Sequence, residues 1–259
     1  MKKVMIAACA LAALGTFAIE SSNIVGYETR SVSQGQKVMN GANFVTVGGD
    51  VLDIGDIKMD ADVGDGDAQI WWWNGESYSG QAFWYSELYA DEEGETTLGY
   101  AGWGDLVYWM PIEKTFAPGE SFWIQCGVDA SYTVSGEVAG TSAAEEYFGI
   151  NLTAGEKKQL TNPFPVGEFS LQSIKMDDDV GDGDAQIWWW NGESYSGQAF
   201  WYSELYADED GEETLGYAGW GDLVYWMPIE KTFKAGEGFW IQCGADASVL
   251  FANPFYTAE

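Results

Sequence analysis

The sequence predicts an all-β protein made of two tandem, near-identical β-sandwich (or small barrel) domains that arose by internal duplication. Three observations predict it. Residues 57–127 match residues 174–244 at a constant offset of 117 without a gap, and six of those 71 positions differ. A repeat of that length, present twice, indicates a duplicated domain rather than a solenoid. Each copy consists of short β-rich runs punctuated by Gly, Pro and Asn turn signals. No apolar stripe of helical period follows the first 18 residues, so few helices are expected.

In chain order, residues 1–18 carry Lys2 and Lys3, a short apolar run and then small residues, the pattern of a secretory signal peptide. Thr16 and Ala18 suit cleavage before Ile19. The alternative, lipid attachment at Cys9 after Ile6-Ala7-Ala8, leaves an apolar segment of only a handful of residues. The first β domain is expected over 19–138, a linker over 139–146 and the second β domain over 147–259. The flanks align more loosely: residues 31–44 (SVSQGQKVMNGANF) resemble 151–164 (NLTAGEKKQLTNPF).

Within the first copy, Trp71-Trp72-Trp73 runs into Asn74-Gly75, the strongest short hairpin signal. A two-residue turn there pairs Trp73 with Glu76, Trp72 with Ser77 and Trp71 with Tyr78. Further strands are expected at 83–89, 97–101, 106–110, 121–126 and 131–135. A turn at Ala117-Pro118-Gly119-Glu120 precedes the fourth of these. The strand beginning Ser22-Asn23-Ile24-Val25-Gly26-Tyr27 and the segment Pro118-Gly119-Glu120-Ser121-Phe122-Trp123-Ile124 resemble those of secreted, mostly uncharacterised β-rich proteins of the Verrucomicrobia and Lentisphaerae group. That resemblance implies export and β architecture, and no activity.

Composition narrows the function classes. Forty-one acidic residues against eleven basic ones give a formal charge of −30, which repels nucleic acid and anionic lipid surfaces. Histidine is absent, which removes the commonest general base and transition-metal ligand. No nucleophile elbow, phosphate loop or zinc spacing occurs, so the chain is not expected to be an enzyme. No later apolar stretch is long enough for a membrane helix, and no membrane insertion is expected.

Three sets of residues are candidate sites. Asp60, Asp62, Asp65 and Asp67, repeated as Asp177, Asp179, Asp182 and Asp184, crowd carboxylates on Gly-rich loops where calcium could bind. The spacing is not that of an EF-hand, and a solvated acidic turn is the plainer alternative. Residues 57–127 hold seven Trp, five Tyr and three Phe, more than a small core needs. Trp71, Trp73 and Tyr78, with Trp188, Trp190 and Tyr195, are expected to form flat contact platforms. Cys126 and Cys243 could form a disulfide if the domains pack about a two-fold axis; otherwise they are buried thiols. Two functions fit these expectations. One is an exported, acidic, self-assembling surface or extracellular-matrix protein, stabilised by calcium. The other is a carbohydrate-binding protein with one aromatic platform per domain.

Overall fold

The structure, a computed structural model, describes residues 25–78, 80–139, 145–177, 179–195 and 197–256. The expected signal peptide at residues 1–18, with Cys9, and most of the expected linker lie outside the described residues.

The described chain is all-β, in small antiparallel sheets. The first half contains β1 (Val25–Val32), β2 (Lys37–Gly41), β3 (Leu52–Asp53), β4 (Ile57–Met59) and β5 (Ala68–Trp72). It continues with β6 (Gly80–Tyr85), β7 (Gly102–Gly104), β8 (Thr115–Phe116), β9 (Ser121–Cys126) and β10 (Ala130–Glu137). The second half repeats the set: β11 (Tyr147–Leu152), β12 (Lys157–Leu160), β13 (Glu168–Ser170), β14 (Ile174–Met176) and β15 (Ala185–Trp189). Then come β16 (Gly197–Tyr202), β17 (Gly219–Gly221), β18 (Thr232–Lys234), β19 (Phe239–Cys243) and β20 (Ala247–Ala252). The helices among the described residues are two single 3-10 turns, at Ile54–Asp56 and Leu171–Ser173.

Each half has a five-stranded sheet, β2-β9-β5-β6-β7 or β12-β19-β15-β16-β17, and a three-stranded sheet, β1-β10-β4 or β11-β20-β14. Short turns carry the chain from one sheet to the other, as at Gly35, whose φ of 73° closes the turn between β1 and β2. Inward alternation fills the space between the sheets: Tyr132 and Val134 from β10 face Ile70, Ile124 and Cys126 from β5 and β9, all buried. Trp103 is buried too, and its indole N–H donates to the Ile57 carbonyl at 2.7 Å, removing the cost of an unpaired donor.

The sheets do not resolve into two plainly separate sandwiches. The four larger sheets are disposed in a propeller-like way, and one connected cluster of buried apolar residues runs through both halves. No described strand belongs to a sheet of the other half, yet backbone bridges cross between them: Asn40 with Glu237 and Glu120 with Leu160. Gly41 donates to the Gly236 carbonyl at 3.0 Å and Thr161 to the Gly119 carbonyl at 2.8 Å. Gly41 is needed there, because a Cβ would lie 1.8 Å from the Thr161 methyl.

Two local expectations are corrected. The turn after Trp73 is not a two-residue hairpin: Trp71 pairs with Gln81 and Trp72 with Gly80, which puts residues 73–78 in the connection. Asn74 is the cause, since its side-chain oxygen accepts from the Glu76 and Ser77 amides at 2.9 and 2.8 Å. Gly75 alone of the pair has positive φ, whereas a type I′ turn needs both. The segment 106–110 is a turn rather than a strand, and 97–101 contributes one isolated bridge.

The Trp72 indole lies over Gly80 so closely that a Cβ would meet its Nε1 at 1.9 Å, and Trp189 does the same over Gly197. Gly80→Ala and Gly197→Ala are therefore each expected to lower unfolding free energy by about 1–3 kcal/mol, the usual cost of overpacking. Urea unfolding checks this, and an unchanged midpoint would contradict the close approach.

Candidate functional site

The six expected platform residues come together in one place. Strand β5 points Ile70 and Trp72 into the core and Trp71 outward, with Trp73 following on the same side; β15 does likewise. The outer rings of the two halves then meet across a pseudo-two-fold axis, packed on Met39, Trp123 and Trp240. Trp73 meets Trp240 edge to face at 5.0 Å between centroids, and Trp190 meets Trp123 at 5.4 Å. Tyr78 approaches Trp240 at 6.1 Å and Tyr195 approaches Trp123 at 6.3 Å. Contact i to j repeated as j to i is the signature of an isologous interface, here within one chain.

Polar partners complete the seam. Trp123 donates its indole N–H to the Tyr78 hydroxyl and Trp240 to the Tyr195 hydroxyl, both at 2.7 Å. Gln159 of β12 reaches across to donate to Tyr78 at 2.6 Å. The equivalent residue on β2 is Met39, so Gln159 has no counterpart at Tyr195, whose hydroxyl pairs with that of Tyr78. Burial, and for Tyr78 also the facing Tyr195, pushes both phenols up from the ordinary tyrosine value.

The seam is not fully closed. A cleft of about 270 Å³ remains, lined by Trp71, Tyr78, Trp123, Trp190, Tyr195 and Lys37. The Lys37 ammonium sits 5.0 Å from the Trp71 ring centroid, as Lys157 sits 5.5 Å from that of Trp188.

The acidic loops are tied to backbone amides of neighbouring segments. Asp60 accepts from the Ser131 amide at 2.8 Å and Asp65 from the Ser86 amide at 2.6 Å. Asp177 and Asp182 do the same with Ser248 and Ser203. Asp67 and Asp184 contribute backbone carbonyls to Gly127 and Gly244, while the Asp62 and Asp179 side chains are exposed. Among the described residues no three acidic side chains converge as a cation cage requires.

Cys126 and Cys243 are free and buried. Each ends its strand opposite Ala68 or Ala185, inside its own half, away from the axis where equivalent residues meet. Burial, with Asp67 nearby, pushes the Cys126 thiol up to about 11, so it stays protonated and inert.

Sequence reasoning missed a pair of displayed loops. Asp105 accepts amide N–H bonds from Val107, Tyr108 and Met110 at 2.7–3.0 Å, and Asp222 repeats this with Val224, Tyr225 and Met227. Burial pushes the Asp222 carboxyl up, but those three amides hold it below its usual value. The next residues, Trp109 and Trp226, have φ of 60° and 56°, a left-handed conformation that costs about 1–2 kcal/mol for an L residue. Stacking holds them there: Trp109 lies 5.0 Å from Tyr85 at 18°, and Trp226 lies 4.9 Å from Tyr202 at 18°. The tips are therefore rigid and apolar, with Val107 and Val224 each 70% exposed beside Leu106, Tyr108, Leu223 and Tyr225. The available signal was Gly104-Asp105, an Asx-type turn start, ahead of an apolar run.

The chain matches no protein-family model and no curated protein sequence. Among the described residues no helix is long and apolar enough to cross a membrane.

Tyr78→Phe removes the acceptor of two N–H groups, Tyr195→Phe of one. The first is expected to cost about 1–3 kcal/mol and more than the second, measured by denaturant unfolding. The raised phenols also set an alkaline limit. The folded state keeps protons that the unfolded chain releases, so this stability is fully present below about pH 10 and falls as pH rises further. Tyr78→Phe is expected to flatten that fall; an identical alkaline profile would contradict the assignment.

Proposed function

We propose that the protein is an exported, acidic structural protein that self-associates on the cell surface or in extracellular matrix through the 106–109 and 223–226 loops. The observation that carries this reading is the pair of rigid apolar tips on a chain of formal charge −30. Strained backbone persists where surroundings over-determine it, commonly at contact sites. Each chain carries the loop twice, so a loop-to-loop contact with a second copy leaves one loop free and the assembly can extend. Calcium acts in this reading as a counter-ion for the loops at Asp60, Asp62, Asp65 and Asp67 and their second-half equivalents, lowering repulsion between neighbouring chains. Export rests on the signal-like residues 1–18.

A second reading is a carbohydrate-binding protein, supported by the aromatic cleft at the seam, since flat rings stack on sugar faces. Rings from both halves line one cleft, so avidity from two separate platforms drops out of it.

Light scattering of the mature protein tests the first reading. The unmodified chain is expected to form large species as salt is raised, because the Debye length falls from about 30 Å at 0.01 M to about 8 Å at 0.15 M. Millimolar calcium should promote this more than monovalent salt of equal ionic strength. Leu106→Ser with Val107→Ser should stop assembly at dimers, and adding Leu223→Ser with Val224→Ser should leave monomers. A chain that stays monomeric at every concentration and salt would refute self-association.

A further inference from the structure

Beside the seam lies a groove of about 560 Å³, between the Trp190-Asn191-Gly192 loop and strand β2. Its charge runs against the rest of the molecule: Arg30, Lys37, Lys231 and Lys234 line it, with Glu237 its one acidic lining residue. Glu28 neutralises Arg30 at 2.8 Å and Glu237 neutralises Lys231 at 2.7 Å. Lys37 and Lys234, both exposed, have no ion-pair partner among the described residues. The groove is also short of acceptors. Asn40, 7% exposed, has its side-chain amide nitrogen buried without a partner among the described residues, and so has the Trp190 indole nitrogen. A buried N–H left unpaired costs about 1–3 kcal/mol, and native exceptions call for an explanation. Both orphan groups are donors, so the missing partner is an acceptor.

The other half serves as an internal control. Its equivalent groove, about 300 Å³ beside Trp73-Asn74-Gly75, has Ala117 where Lys234 stands and Pro118 where Ala235 stands. In the register that aligns residues 31–44 with 151–164, Leu160 replaces Asn40 and Ile150 replaces Arg30. The Trp73 indole nitrogen is unpaired in the same way, so both grooves offer that donor. Lys157, the counterpart of Lys37, lines the smaller groove too, so the larger one adds the Asn40 amide and the Lys234 ammonium. Of six differences across 71 near-identical positions, Ala117/Lys234 and Pro118/Ala235 fall here. A third, Ser121/Gly238, has a packing reason: a Cβ at Gly238 would lie 2.7 Å from the Ser121 hydroxyl.

The groove adjoins the aromatic cleft, with Lys37 and Trp190 lining both. Ring faces next to unpaired donors and cations suit a sugar ring that carries an oxyanion. The long-range field of the chain is strongly negative, so a dense polyanion is repelled, while one isolated anion inside a Debye length meets the local positive charge. We infer that this groove binds an acidic sugar, a uronate residue within an otherwise neutral oligosaccharide. Its carboxylate is held by Lys37, Lys234 and Asn40, and its ring lies against the seam aromatics. The inference deepens the carbohydrate-binding reading and is independent of self-association.

Titration calorimetry on the whole mature chain tests it, using an oligosaccharide with one glucuronate and its carboxyl-reduced, neutral counterpart. The uronate form is expected to bind about tenfold or more tighter, as one charge-assisted hydrogen bond provides. Lys234→Ala and Asn40→Leu, residues the other half already carries, should abolish that preference. Asn40→Leu should not lower the melting temperature, because it removes an orphan donor. Ala117→Lys in the smaller groove should leave the preference unchanged. Equal binding of both sugars overturns the uronate inference and leaves the carbohydrate reading standing. Binding of neither overturns both. Tighter binding of an acidic peptide matching residues 90–96 overturns it in favour of contact with a second copy.

Discussion

The arrangement of the two halves depends on edge-to-face packing of indoles across the pseudo-two-fold seam. Trp73 against Trp240 and Trp190 against Trp123 place the positive edge of one ring on the negative face of another, each pair adding about 0.5–1.5 kcal/mol beyond area burial. The same rings orient the hydroxyls of Tyr78 and Tyr195 as acceptors for indole N–H groups that burial would otherwise strand. Backbone bridges at Gly41 and Thr161 then fix the distance between the halves. The consequence is directional. Two otherwise separate sets of sheets become one body, and the apolar loops at Val107 and Val224 hold fixed orientations relative to each other.

The negative charge is spent locally before it is spent on solubility. Asp53, Asp60, Asp65, Asp91, Asp105 and Asp129 each accept backbone amide bonds at a turn. Carboxylates are good loop organisers because they accept several N–H groups at once. An acidic, turn-rich surface built this way resists indiscriminate association, which makes an exposed apolar tip more selective. The scarce cations are concentrated at the seam, where Lys37 and Lys157 cover indole faces and Lys234 opens the larger groove.

The sequence made the β architecture and the duplication legible, because alternation and turn residues are local signals and the repeat is nearly exact. The inward pairing of Ile70 with Trp72, and the outward pairing of Trp71 with Trp73, followed from strand alternation alone. The register of that hairpin did not. Asn74-Gly75 looks like a two-residue turn, but the Asn74 side chain captures two amides and the Trp72 indole needs a glycine to lie on. The 106–110 segment has strand composition, and only three amides gathered by Asp105 turn it into a loop. The seam itself was invisible, since a ring free to meet a ligand and one that meets its own duplicate have the same sequence. The cysteine alternatives turned on where that axis passes, which no local pattern encodes.

One measurement bears most directly on the seam: equilibrium urea unfolding of the chain from residue 19 onward, followed in parallel by tryptophan fluorescence and far-ultraviolet circular dichroism. Two halves locked by the seam unfold together, giving one transition with coincident midpoints by both probes. Trp240→Ala, which removes the ring on which Trp73 and Tyr78 rest, then separates the halves or lowers the common midpoint. Two independent transitions in the unmodified chain, unaffected by Trp240→Ala, would contradict the account and describe two beads on a string.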